Sequence, residues 1–241
     1  MSVKTWKERQ KEQRRDDILD IAEELFFKKG YDDISMRDIA KEGGLGKSTL
    51  YFYFDSKEAL FFAIVLRGTR ILSAMIKDAV KKEKTNLKKL SAFKEAYNNF
   101  TEKYPGYYWA YNYFQSGRFD IKNMLDMGYA KEIRTQVKQY STTHTASFGQ
   151  ISPINQYLIE IIELRREIFA IVYDSIEEGI SEGTFRQDIN PAETAVMLTV
   201  IAEGVQNIQP DLVRILENYG INHEKFKSDS RKFIGYILLN K

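Results

Sequence analysis

Lys47, Ser48, Thr49, Tyr51 and Tyr53 crowd into residues 47–53. They supply an ammonium, hydroxyls and aromatic edges, the groups that reach phosphates and base edges in the major groove of duplex DNA. A helical hairpin with tyrosines packed at its rim fits the same spacing. No catalytic residue and no cofactor are expected. Cysteine is absent, and His144 and His223 are the only histidines, which excludes a thiolate centre and a histidine-rich metal site. Gly44-Leu45-Gly46-Lys47-Ser48-Thr49 looks like a nucleotide-binding loop, but Lys41 stands where that motif needs its first glycine. The segment also follows a helical pattern, where the motif follows a strand.

These side chains need short helices to present them. Ser35 followed by Asp38 reads as the start of a helix ending near Gly43-Gly44, and another helix begins at Gly46 or Lys47. Two short helices joined by a glycine-containing turn form a helix-turn-helix. Ile39, Ala40, Leu45 and Leu50 are its apolar interior. Upstream, residues 8–29 carry Ile18, Ala22, Leu25 and Phe26 on one stripe and end at Gly30. Downstream, Ser56 opens a helix over 56–82 that is apolar all round from Ala59 to Leu66. Further helices are expected over 86–104, 106–116, 118–140, 153–183, 191–208, 211–218 and 223–239. Only four prolines occur in 241 residues, and the fold class expected is all-α.

With 43% hydrophobic and 29% charged residues, the chain has the balance of a folded globular protein. No segment is expected to cross a membrane, since the longest wholly apolar run is far shorter than the ~20 residues required. Cysteine-free composition fits a reducing cytoplasm. Net charge is only +2, and cations and anions balance within residues 1–57. DNA binding would therefore rest on segregating charge onto one face. Lys4, Lys7, Arg9, Lys11, Arg14 and Arg15 outnumber Glu8 and Glu12 at the N-terminus, which makes either a basic arm or a solvated helix end.

Ser35-Met36-Arg37-Asp38-Ile39-Ala40, Gly44 through Phe54 and Ser56-Lys57-Glu58-Ala59-Leu60 resemble the tetracycline-repressor (TetR) family. The pattern Thr49-Leu50-Tyr51-x-Tyr53-Phe54 followed by Lys57-Glu58 carries the resemblance, with Leu25-Phe26 and Lys29-Gly30-Tyr31 upstream. It is specific over roughly residues 14–66. Gly46 departs from it, because the family usually places a capping serine there. The resemblance implies a three-helix DNA-binding domain over 1–55 and a larger helical ligand-binding and dimerisation domain over 56–241. It assigns Ser35, Arg37, Lys47, Ser48, Thr49, Tyr51, Tyr53 and Lys57 to DNA, with Tyr53 and Lys57 on the phosphate backbone.

Phe93, Tyr97, Phe100, Tyr108, Tyr111, Phe114, Met124, Met127, Phe169 and Tyr173 are the candidates for an effector cavity, or are simple core. The uncharged polar stretch 141–156 is either a flap or a loop. Helices near 153–183 and 191–208 resemble the family's dimerisation pair, and an internal hairpin in a monomer is the alternative. Together these readings describe a homodimeric transcriptional repressor that binds a palindromic operator in double-stranded DNA and is released by a small hydrophobic or aromatic effector. The alternatives are a chromosome-organising or division factor of the same fold and, more remotely, a helical-bundle enzyme.

Overall fold

The computed structural model describes residues 5–121, 123 and 153–239. Within them run helices α1 (Trp6–Lys29), α2 (Met36–Glu42), α3 (Lys47–Tyr53), α4 (Lys57–Val80), α5 (Asn86–Lys103), α6 (Pro105–Gln115), α7 (Pro153–Ser181), α8 (Pro191–Gln206), α9 (Pro210–Asn218) and α10 (His223–Leu238). Met124, Met127, His144, Lys4, most of the expected 118–140 helix and the polar stretch up to residue 152 lie outside the described residues. The chain divides into two compact units, Met1–Ile71 with Thr101–Arg165 and Leu72–Phe100 with Arg166–Lys241.

In the first unit α1 begins earlier than the apolar stripe suggests. Thr5 Oγ1 accepts from Glu8 N at 3.3 Å, and Glu8 Oε2 accepts from Thr5 N at 2.7 Å. This capping box satisfies two amides that a helix start leaves open. The basic residues from Lys7 to Arg15 are therefore helical. The chain leaves α1 through Gly30 at φ +85°, a conformation that favours glycine.

The core of this unit takes Ile18, Ala22 and Phe26 from α1, Ile39 and Ala40 from α2, Leu50 from α3 and Leu60 to Leu66 from α4. Phe61 anchors it, with ring centroids 4.9 Å from Tyr31 and 5.7 Å from both Phe26 and Phe119. Each such ring stabilises the fold by about 1.5–3 kcal/mol through burial. Two glycines permit close helix approach. A Cβ on Gly68 would lie 2.8 Å from Tyr107 Cβ, and one on Gly106 would lie 2.3 Å from the Phe27 ring. Arg67 of α4 ties α1 down, at 2.5 Å from Asp20 and 3.0 Å from Glu23, which also accepts from the Tyr107 hydroxyl at 2.8 Å. Burial holds the Glu23 carboxyl above its usual range, against the lowering effect of Tyr107 and Arg67.

By length and composition α4 does pass the test for a membrane-crossing helix, contrary to the expectation from its charge-free run. Run length was the wrong measure, because a few interspersed polar residues do not spoil the average. In the structure 72% of that apolar window is buried inside the protein, as befits a core helix.

The second unit packs Val172 and Ile176 of α7, Ala195 and Leu198 of α8 and Leu238 of α10 around Phe185. Gly179 makes room for that ring, since a Cβ there would lie 2.2 Å from Phe185 Cδ2. Arg186 N donates to Leu238 O at 2.9 Å, which ties the turn after α7 to the end of α10. α8 starts as its sequence announces. Asn190 accepts from Ala192 N at 2.9 Å and Glu193 N at 3.1 Å, with Pro191 in the first turn.

Candidate nucleic-acid interface

α2 and α3 are each only seven residues long, too short to be stable alone, so their neighbours hold them in place. Ser35 Oγ accepts from Asp38 N at 3.3 Å, and Asp38 Oδ2 accepts from Ser35 N at 2.9 Å. The Ser35 hydroxyl also donates to Asp38 Oδ2 at 2.5 Å. This hydrogen bonding holds the Asp38 carboxyl below its usual value. The Ser35 side chain is thus committed to the start of α2. After α2, Gly44 turns the chain at φ +57°, and Leu45 N donates to Ala40 O at 2.8 Å. Gly46 then starts α3 without a side-chain cap.

Leu50 is the buried residue of α3 and fixes its rotation. Lys47, Ser48 and Thr49 are exposed, and Tyr51 is 39% exposed. The Lys47 ammonium lies 5.8 Å from the Tyr51 ring centroid, and Arg37 of α2 is exposed. Arg37, Lys47, Tyr51 and Lys57 line one open groove together with residues 32–36 and Asp38. The structure therefore gathers most of the expected DNA-facing side chains on one surface. Tyr53 is only half-exposed, with its ring 5.2 Å from that of Phe52.

Lys57 has internal partners. Its ammonium donates to Tyr31 O and Ile34 O, both at 2.9 Å, and sits 4.1 Å from the Tyr31 ring centroid. The Tyr31 hydroxyl in turn donates to Glu58 at 3.1 Å. A lysine in the first turn of a helix opposes the helix dipole. Here the partial negative charge of two carbonyls compensates it.

Phe52 was not among the expected contacts. It is 67% exposed, stands opposite Leu50 on α3, and has the Lys11 ammonium of α1 5.0 Å from its ring. The signal was available, because on a 3.6-residue wheel position 52 shares the outward face with Ser48. Arg15 does the complementary job behind α3, 4.9 Å from the buried Phe54 ring and 2.5 Å from the Tyr157 hydroxyl.

The eight effector candidates among the described residues are divided between the two units. Phe114 is buried in the first unit, 5.1 Å from Phe62. Tyr108 is half-buried on α6, and Arg165 lies 5.4 Å from the Tyr111 ring. Phe100 is buried and Tyr97 half-buried on α5. Phe169 and Tyr173 pack against the core of the second unit, and Phe93 lines a cavity of about 230 Å³ there. Among the described residues no group of His, Asp and Glu is arranged to hold a metal ion.

The sequence profile of "Bacterial regulatory proteins, tetR family" matches residues 18–64, from the buried half of α1 into α4. An uncharacterized HTH-type transcriptional regulator, Rv1255c of Mycobacterium tuberculosis, is 48% identical over 68 residues, 28% of this chain and 34% of its own length. The HTH-type transcriptional activator FasR of Mycolicibacterium smegmatis is 33% identical over 92 residues, 38% of this chain and 42% of its own. These alignments thus span well under half of the curated relatives. A putative transcriptional regulator from Saccharomonospora viridis, solved in complex with choline, shares the fold with a TM-score of 0.61 at 17% identity, covering 95% of this chain and 100% of that one. The outward side chains of α2 and α3 lie within residues 18–64, the stretch of this chain that is similar to the tetR family of bacterial regulatory proteins.

Proposed function

We propose that this chain is a homodimeric, ligand-responsive transcriptional repressor of the cytoplasm that binds a palindromic operator in duplex DNA. One observation carries the reading: Leu50 turns inward and leaves Lys47, Ser48, Thr49 and Tyr51 exposed beside Arg37. α3 is the recognition helix, with hydroxyls and the Tyr51 edge for bases and the cations for phosphates. Residues 1–55 act as the DNA-reading domain and the remainder as the ligand-binding and dimerisation domain. The Phe52–Lys11 pair widens the grip.

Two such helices must be held about one helical turn of DNA apart or somewhat more. Many apolar residues of α7 and α8 are consumed within the subunit: Leu158 and Ile161 enter the first core, Val172, Ile176 and Ala195 the second. Val196, Met197 and Val200 of α8 remain 51%, 53% and 61% exposed. They supply the apolar seam for a second copy, with α7 alongside. The effector is small and apolar or aromatic, and binds in the larger helical half. Because α4 contributes residues to both units, ligand and DNA bias one equilibrium, and each weakens the other by the same factor.

Selection of bound duplexes from a random pool tests this reading. The expected product is an inverted repeat, occupied by two chains and released by effector. Enrichment of no sequence, or of a single unrepeated site bound by one chain, would overturn it. A reporter carrying the selected site should be silenced by the protein, whereas induction would reverse the assigned direction.

A further inference from the structure

The two ends of α1 present different chemistry along one stripe. From Ile18 onward that stripe is apolar, and Ile18, Ala22 and Phe26 are buried in the core of the first unit. Followed toward the N-terminus at the same helical spacing, it turns cationic at Arg14, Lys11 and Lys7. Every residue from Trp6 to Arg14 is exposed, so this end of the helix runs past the core. The acids take the other side of α1, where Asp16, Asp20 and Glu23 gather on Arg67 of α4. Thr5 and Glu8 cap the helix start, so what this end offers a partner is its side chains. Lys11 fixes where the cationic edge lies. Its ammonium is 5.0 Å from the ring of Phe52, which is exposed on the outward face of α3 beside Ser48. One turn further along α1, Arg15 packs 4.9 Å from the buried Phe54 ring. The cationic end of α1 therefore continues the exposed surface of α3, with Lys7 one turn, about 6 Å, beyond Lys11.

We propose that Lys7 and Lys11 bind the DNA phosphates flanking the half-site that α3 reads, so that the start of α1 clamps the duplex backbone. The proposal rests on the operator-binding reading above and adds a second element to its grip. A lone exposed lysine is a solvated side chain. Here two stand one turn apart beside the recognition helix, with the carboxylates of α1 turned away. An ammonium on a flexible stem is a point charge, which meets a phosphate without demanding a fixed geometry. Such contacts add affinity and salt dependence but carry no sequence information. Arg14 and Arg15 are left out of the clamp. Arg14 lies 3.9 Å from Asp17, and the Arg15 guanidinium is taken up by the Phe54 and Tyr157 rings.

The salt dependence of the full chain's affinity for the selected duplex tests the clamp. Each phosphate neutralised contributes about 0.9 to the slope of log affinity against log salt. Lys7→Gln combined with Lys11→Gln keeps good helix formers and should lower that slope by about two per bound chain. Each single variant should lower it by about one. The rank order of affinity across several duplexes should not change. Lys7→Arg with Lys11→Arg should keep the slope. Arg9→Gln deletes the same charge from the opposite side of α1 and should keep it too. Circular dichroism checks folding, and the single variants carry the test if the double one does not fold. An undiminished slope, an equal loss in Arg9→Gln, or an altered sequence preference overturns the clamp while operator binding stands. A parent chain that binds no duplex overturns both readings.

Discussion

Replacing Lys57 by methionine keeps most of the unbranched side chain and deletes its charge. In the structure this removes two hydrogen bonds of 2.9 Å, to Tyr31 O and Ile34 O, and a cation–ring contact at 4.1 Å. A hydrogen bond to a charged group is worth about 1.5–3 kcal/mol net. Lys57 is half-exposed, so the low end applies, and water partly rescues the two carbonyls. The expected loss is about 2–3 kcal/mol. With a urea dependence of about 2–3 kcal/mol per M, the unfolding midpoint of the first unit should fall by roughly 1 M. Urea titration followed by the fluorescence of Trp6 and Trp109 reads this. An unchanged midpoint would refute the view that Lys57 fastens the segment before α2 to the start of α4. The same variant separates stapling from phosphate contact. If Lys57 is chiefly a staple, the salt dependence of DNA affinity keeps its slope, whereas a lost phosphate contact reduces the slope by about one.

Four further outcomes follow from the geometry. Ser35→Ala removes the cap of α2 and should cost about 1 kcal/mol at neutral pH. The lowered Asp38 carboxyl stabilises the fold above its ordinary value of 3.8 and loses that contribution as pH falls through the lower folded-state value, so an Asp38→Asn variant should converge with the parent in acid urea titrations. Gly179→Ala gains helix propensity but drives a Cβ to 2.2 Å from the buried Phe185 ring, and should lower stability by about 1–2 kcal/mol in thermal unfolding, whereas a gain would show that the ring can yield. Val200→Asp places a charge in the proposed seam, and sedimentation should show a dimer becoming a monomer, while a variant that stays dimeric moves the interface elsewhere.

The helix order was legible because its signals are local. Ser35, Ser56 and Asn190 each start a helix where the side chain suggests, and Gly30 ends one. The true start of α1 was written just as locally, in Thr5 and Glu8, but an apolar stripe cannot register a capping box on a solvated end. The outward face of α3 was legible for a similar reason, since the buried Leu50 fixes which neighbours face outward. Lys57 was not, because its partners lie more than twenty residues away on a loop whose course only packing decides. Nor was the division of the aromatic side chains between core and cavity. Aromatic composition marks Phe114 and Phe93 alike, yet one fills a core and the other lines a cavity, a difference set by how α5, α7, α8 and α10 converge. Apolar faces on α7 and α8 were likewise correct as faces and silent about whether the subunit itself or a second copy covers them.

The proposed DNA binding rests on the surface carried by α2 and α3. Its most direct test is the equilibrium affinity of Arg37→Ala and Tyr51→Ala variants for the selected duplex at fixed salt, with helicity checked by circular dichroism. Both side chains are exposed, so the fold should persist while affinity falls by about tenfold or more for each. Undiminished affinity in both folded variants would contradict the account.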